Sequence, residues 1–296
     1  MSIDLSLLPP PSVVEPLDFE TILATIKADA LAFAPELSDV LSLESEPATK
    51  LCEVFAYREL LLRARINNAA KSTMLAHATD TDLDNLAALF DVQRLPDEKD
   101  DRLRRRAQLS LESLSTAGPT KSYLYHALSA SNDVLDAYVD SPEPGVVRIA
   151  VLAAPSDANP DGVPSQALLD TVYAAVSAED VRPLTDRPVV VGAEVIRYSI
   201  AAVLACFPGI GQAAVIQAAT DAVAAYVAEQ FRLGYDITVS GLKRALRQPG
   251  VSRVSLMSPG LPNPAADNDQ DVLISVTGLQ AALCMSITLS PGGTSA

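Results

Sequence analysis

Tryptophan is absent, aromatic residues make up only 5% of the 296, and histidine occurs twice, as His77 and His126. A core without large rings has to be built from Leu, Val, Ile and Ala. Neither histidine sits in an HExxH or HxH pattern, so no histidine-based metal or catalytic site is expected. The three cysteines, Cys52, Cys206 and Cys284, are far apart in apolar runs with no CxxC or CxxH spacing. That excludes a disulfide framework and a zinc knuckle, and fits small buried thiols in a reducing compartment. No apolar run approaches the ~18 residues of a membrane span. Met1 to Pro16 has neither a basic n-region nor an apolar h-region, so neither a secretion address nor an anchor is expected. Basic residues are scarce: 22 Lys and Arg against 37 Asp and Glu, a formal charge of −15 and a pI of about 4.5. A nucleic-acid phosphate surface or an anionic membrane would repel such a chain, which leaves protein partners.

What is present is a globular balance, 49% hydrophobic and 20% charged, with length for two domains of ordinary size. Residues 1–17 carry Pro9, Pro10, Pro11 and Pro16 and read as an extended arm, because proline lacks the N–H a helix needs. Ile3, Leu5, Leu7 and Leu8 on that arm suit it to lying on a neighbour. A helix follows from Asp18, its N-cap, to about Phe33. The next is the longest. Ser45 can cap it, Pro47 fits its first turn, and the pattern runs to about Ala78, roughly 50 Å at 1.5 Å per residue. Its stripe is Phe55, Leu62, Ile66, Ala69, Thr73 and Ala76, with threes and fours alternating from Leu62, a coiled-coil seam. Thr81 caps a short helix with Leu83, Leu86, Ala87 and Phe90 on one face. Helices over 99–114 and from Pro119 or Thr120 to about Ser131 complete a helical domain, 18–132.

Near residue 133 the period changes. Val134–Val139 and Val146–Leu152 read as strands joined through Pro142, Glu143, Pro144 and Gly145. A loop over 155–164, a helix over 165–178 and a strand at 188–192 complete a first α+β unit, 133–193. A second unit, 194–296, holds a long strand from Glu194 to about Phe207, a helix over 210–232, a short helix over 240–247 and a strand over 251–257. A polar loop over 259–270 leads to strands at 271–276 and 283–289. The expected fold class is α+β: a helical domain followed by two small mixed units.

Few residues suggest chemistry. Gly209-Ile210-Gly211-Gln212-Ala213-Ala214 matches GxGxxA after an apolar strand and before a helix, which is where a dinucleotide phosphate would bind. Against that, the helix is long, the strand is wet on one face at Glu194, Arg197 and Ser199, and Pro208 stiffens the turn. A strand-to-helix turn is the reading adopted, with a nucleotide-binding module as the alternative. Glu44 and Glu46 read as an anionic helix start. Lys99, Arg102, Arg104, Arg105 and Arg106 form a basic cluster. Either Asp97, Glu98, Asp100 and Asp101 balance it on a solvated face, or it docks an acidic partner through residues such as Arg102 and Arg105. The residues show no convergent catalytic set, and no cofactor or metal is expected.

Several segments, in order, resemble the baseplate J-like family of contractile phage tails. They are Leu43-Glu44-Ser45-Glu46-Pro47, Ala56-Tyr57-Arg58-Glu59, Arg65-Ile66-Asn67-Asn68-Ala69-Ala70 and Asp82-Leu83-Asp84-Asn85-Leu86-Ala87. Further on come Leu114-Ser115-Thr116-Ala117-Gly118-Pro119-Thr120, Tyr125-His126-Ala127, Asp180-Val181-Arg182-Pro183-Leu184-Thr185-Asp186 and Arg232-Leu233-Gly234-Tyr235-Asp236-Ile237. The likeness covers about residues 3–258. It implies a structural wedge subunit, not an enzyme, in a sixfold baseplate that joins tube, sheath and fibres. Similar parts serve phage tails, R-type bacteriocins and other contractile injection systems. The implied partners are a second copy of the chain and a tail-protein-I-like wedge protein, their helices gathered in a bundle. The implied location is a tail baseplate, assembled in the bacterial cytoplasm and released by lysis. The long helix suits such a bundle, with Phe55, Leu62, Ile66, Ala69 and Thr73 as its expected interface.

Overall fold

The computed structural model describes residues 5, 8–113, 118–157, 159–208, 211–257 and 271–294. The fold is α+β, and the chain divides into two compact units. The first comprises residues 1–94 and 98–108, the second 95–97 and 109–296.

The first unit is helical. Helix α1, Phe19–Phe33, starts where the Asp18 carboxylate accepts the Thr21 N–H at 2.8 Å, as its sequence predicts. After a 3-10 turn at Pro35–Leu37 and the short α2, Ser38–Leu41, comes α3, Pro47–Ser72. Helix α3 packs on α1 through Cys52 and Ala56, which meet Ile22, Leu23 and Leu41 in a small core. Helix α4 spans Asp80–Ala88 and buries Leu83 and Ala87; helix α5 spans Asp100–Ser113 and gives residues to both units.

The second unit starts with α6, Thr120–Ala130, and the strands β1, Val134–Glu143, and β2, Val146–Ala153. These two form a hairpin closed at Pro144-Gly145, with Gly145 at φ +78°, a left-handed conformation that glycine adopts without strain. The turn is shorter than the four-residue cluster expected, because β1 runs on to Glu143. Helix α7, Gln166–Val176, is capped by Ser165 and leads to β3, Arg187–Gly192, parallel to β2. The sheet order is β1-β2-β3. Ile149 to Ala153 on β2 are all buried, since each face of this strand meets a core. One face meets α6 and α7 through Val172, Val176, Tyr123 and Leu128; the other meets Phe231, Leu233 and Ala281.

Strand β4, Glu194–Cys206, is the centre of a second sheet. It is followed by α8, Gln212–Gln230, a two-residue β5 at Ile237–Thr238, and α9, Val239–Leu246. Strand β6, Val251–Met257, pairs antiparallel with β4; β7, Val272–Ile274, pairs with β5; and β8, Gln280–Thr294, pairs parallel with β4. The order is β6-β4-β8. Tyr198, Ile200, Ala202, Leu204 and Cys206 alternate inward to meet Val215, Ala219 and Val223 of α8, while Arg197 and Ser199 face solvent. The polar loop expected over 259–270 lies outside the described residues.

Candidate interaction surfaces

Helix α3 has two faces with opposite fates. Thr49, Cys52, Ala56 and Asn67 are buried and lock it to the rest of its unit. The Asn67 carboxamide clamps the arm: its Oδ1 accepts the Glu15 N–H at 3.2 Å and its Nδ2 donates to the Glu15 carbonyl at 2.8 Å. Arg63 then bridges Glu15 and Glu59. The other face is apolar and bare. Phe55 is 62% exposed, Leu62 64% and Ile66 60%, with Leu51 and Val54 beside them. At 100° per residue, Leu51, Phe55, Leu62, Ile66 and Ala69 fall within a narrow stripe, and Ala69 is exposed too. Arg58 and Arg65 are exposed along it, and neither is ion-paired among the described residues. Leu51 belongs to this stripe four residues before Phe55, a spacing visible in the sequence that the seam reading left out.

The seam is shorter than its spacing implies. Helix α3 is 26 residues, about 39 Å, and stops at Ser72. Ser72 and Thr73 turn their hydroxyls back to the carbonyls of Ala69 and Ala70, at 3.0 and 2.9 Å. Thr73 is the C-cap and exposed; Ala76 lies in the turn beyond and is half-buried. The N-cap of the helix is Glu46 rather than Ser45, with Pro47 in its first turn as expected.

The basic cluster turns inward. Arg106 is 4% exposed and donates to the Glu98 carboxylate at 2.7 Å and to the Gln93 carbonyl at 3.1 Å. Arg102 meets the same carboxylate at 3.3 Å, with only 15% of its side chain exposed. Arg104 donates to the carbonyls of Leu75 and Ala78 and to Asp101. Arg105 is half-buried. Nearby, Arg94 binds Asp84 and Asp100, which holds its pKa above the ordinary value despite partial desolvation. The Asp80 N–H, together with Arg94, holds Asp100 below the usual carboxylate range. Asp80 sits at φ +49° and Thr79, not Thr81, is the N-cap of α4. Arg104 of α5 thus fastens the turn after α3, and Arg94 with Asp100 fastens the start of α4.

In the second unit, two of the segments singled out in the sequence meet. Gly118, at φ +66°, lies under the turn at Pro183–Asp186. A Cβ on it would stand 2.8 Å from the Pro183 ring and 2.9 Å from the Asp186 carboxylate. That carboxylate accepts the Tyr123 hydroxyl at 2.9 Å, and burial followed by this bond pushes the phenol pKa up. Leu114 to Ala117 lie outside the described residues.

The glycine turn is partly visible. Gly209 and Ile210 lie outside the described residues. Gly211 is the N-cap of α8 at φ −63°, and a Cβ there would meet nothing within 4 Å, so its position makes no demand for glycine. His77 sits in the turn after α3, not on it, and His126 is half-buried on α6 against the Tyr125 ring. Among the described residues, no group of three His, Cys, Asp or Glu could hold a metal, and no helix is long and apolar enough to cross a membrane.

Two family models match the chain. The Baseplate J-like N-terminal domain covers residues 44–100, from the start of α3 to the start of α5. The Baseplate J-like central domain covers residues 115–192, from just before α6 to the end of β3. Baseplate protein J of Escherichia phage P2 is 39% identical over 311 aligned residues, which span 98% of this chain and 98% of that protein.

Proposed function

The chain belongs to the baseplate J-like family and is a structural baseplate protein; from that premise we propose that it is a wedge subunit assembling through two surfaces. The first is α3. Its bare stripe of Phe55, Leu62, Ile66 and Ala69 packs into a helical bundle with a second copy and a tail-protein-I-like partner. The observation that carries this reading is the exposure of three large apolar side chains on a helix whose opposite face is already locked. A stripe of this size on an otherwise fixed helix marks a protein interface. Arg58 and Arg65 add a charge preference, since among the described residues neither is ion-paired, while Arg63 engages Glu59. A partner helix with carboxylates flanking its apolar seam fits them. Of the basic cluster, Arg104 reaches the carbonyls of Leu75 and Ala78 beyond α3, while Arg102 is engaged with Glu98.

The second surface is the strand-rich region from residue 133 onward, which makes the contacts between wedges in a sixfold ring that joins tube, sheath and fibres. Assembly in the bacterial cytoplasm, residence in the tail baseplate and release by lysis follow from the same reading. It assigns the chain no reaction. Phage tail and tail-like bacteriocin use the same part, and the reading covers both.

Leu62→Asp and Ile66→Asp test the bundle. A carboxylate in an apolar interface costs several kcal/mol, on the order of 3–5. The chain coexpressed with its neighbouring tail proteins should lose the partner on purification, while the isolated variants keep the far-UV spectrum and melting temperature of the parent. Retention of the partner by both variants would sink the proposal.

A further inference from the structure

From Val272 to Ala296 the sequence contains no Asp, Glu, Lys or Arg, in a chain where charged residues make up 20%. In the fold this run forms β7 and β8. Strand β8 is 15 residues long and lies at the edge of its sheet: it pairs with β4 on one side, and among the described residues no strand pairs with the other. Its first residues are covered, since the Gln280 carbonyl accepts the Gly234 N–H at 3.1 Å. Further along it opens. A register shift opposite Tyr198 and Ser199 leaves Met285 unpaired and 54% exposed, and Ser286, Thr288 and Ser290 are exposed after it. Folded proteins normally guard a long edge strand with charge, with proline or by keeping it short. The opposite edge of the same sheet, β6, is seven residues and carries Arg253. On β8 the guarding devices are the register shift at Met285 and Pro291 near the far end, and no charge stands on it.

The occupant that fits is a second copy. A net charge of −15 makes two copies repel, and the place where they approach without opposing charges is the strand that has none. An acidic or basic partner would find nothing on β8 to pair with. An uncharged strand laid antiparallel on itself about a twofold axis is self-complementary, which is what an isologous contact requires. We propose that β8 edges of two copies pair antiparallel around Met285–Ser290, joining two β6-β4-β8 sheets into one continuous sheet. This deepens, and rests on, the reading that the strand-rich region makes the contacts between copies.

The test uses the full chain, purified alone. Sedimentation over a concentration series should show a reversible dimer that strengthens as salt screens the net charge. Amide exchange at 285–290 should slow as the dimer forms, while 251–257 on the opposite edge stays unchanged. Thr288→Lys places like charges opposite each other across the twofold and should weaken association at least about tenfold. Thr288→Val, an uncharged strand former, should keep the dimer and controls for folding. A monomer at every concentration, or a dimer indifferent to Thr288→Lys with no protection at 285–290, overturns the proposal. Because no other tail protein is present, that outcome leaves the α3 co-purification result standing, and loss of co-purification leaves this one standing.

Discussion

The two compact units use apolar side chains in opposite ways. Among the described residues, the largest fully buried side chains include Leu83 and Leu103 in the first unit. The second holds Tyr123, Leu128, Ile149, Leu152, Leu204, Ile237, Leu246, Ile274, Val134 and Val151. The first unit instead buries a charged pair, Glu98 with Arg106, and exposes Leu51, Phe55, Leu62 and Ile66 on α3. A domain normally hides its large apolar groups and leaves its charges wet. The second unit rests on large apolar cores; the first has a small one, with a buried ion pair beside it and, as proposed, partner helices outside. The small core with α1 and the Asn67 clamp hold α3 on its unit and leave its apolar stripe exposed.

The sharpest way to break this comparison is Arg106→Met. It takes from the buried Glu98 carboxylate its 2.7 Å contact and leaves Arg102 at 3.3 Å. Removing one partner of a buried pair costs about 3–5 kcal/mol, far more than a surface pair is worth. Urea unfolding of the isolated chain should show that loss, and the Glu98→Gln, Arg106→Met double variant should recover part of it. A loss below about 1 kcal/mol would mean that the pair is not what holds the first unit.

That network was the least legible part of the chain. The sequence shows five cations between acids on one helix, which reads equally as a solvated face or a docking patch. What decides is where the carbonyls of Leu75, Ala78 and Gln93 end up, and they lie 13 to 29 residues away along the chain. The overrun of α3 has the same origin. Thr73 and Ala76 continue the helical spacing, but Arg104 takes the Leu75 and Ala78 carbonyls, and Ser72 and Thr73 bond back to the helix. Periodicity reports which face is apolar, not which tertiary donor stops the helix. Where local chemistry decides, sequence and structure agree: the Asp18 cap, the start of α7 at Ser165 and the end of the hairpin at Gly145 are set by neighbours in sequence. Strand β8 was read as 283–289 and spans Gln280–Thr294, because β4 offers it a partner along its whole length. The bare stripe on α3 was visible as a seam, but its exposure was not, since a spacing of threes and fours fits an internal face and an interface equally well.

A smaller effect separates two glycines of the second unit. Gly118→Ala forces a Cβ into the Pro183 ring at 2.8 Å and an L side chain into φ +66°. It should destabilise the chain by about 2 kcal/mol. Gly211→Ala meets nothing within 4 Å at φ −63° and should cost only the poorer capping of alanine at the N-cap, roughly 0.5 kcal/mol. Thermal melts of both variants check this. Equal losses would mean that the turn before α8 carries a constraint the contacts do not show, and would return attention to the glycine motif as a ligand site.

The smallest effect is a difference in acid response. His126 lies in the second unit on α6, half-buried with its ring 5.2 Å from that of Tyr125. Burial holds its pKa below the ordinary value, and the Asp180 charge opposes that only in part. A histidine whose folded pKa is depressed stays neutral in the native state while the unfolded chain begins to take up its proton near pH 6.5. Above that pH His126 contributes nothing to pH dependence. As pH falls below it, the unfolded state gains protons first and stability declines, until the folded pKa is reached. The carboxylates held low, Asp100 by the Asp80 N–H and then Arg94 in the first unit and Asp140 by Arg148 in the second, act at lower pH, below their unfolded value near 3.9. Between about pH 6.5 and pH 5, then, weakening should come from the second unit through this one ring. His126→Gln should flatten the fall in melting temperature across that window and leave the profile above pH 7 parallel to that of the parent. A variant that loses stability just as steeply would place the acid-sensitive group elsewhere and remove this contrast between the units.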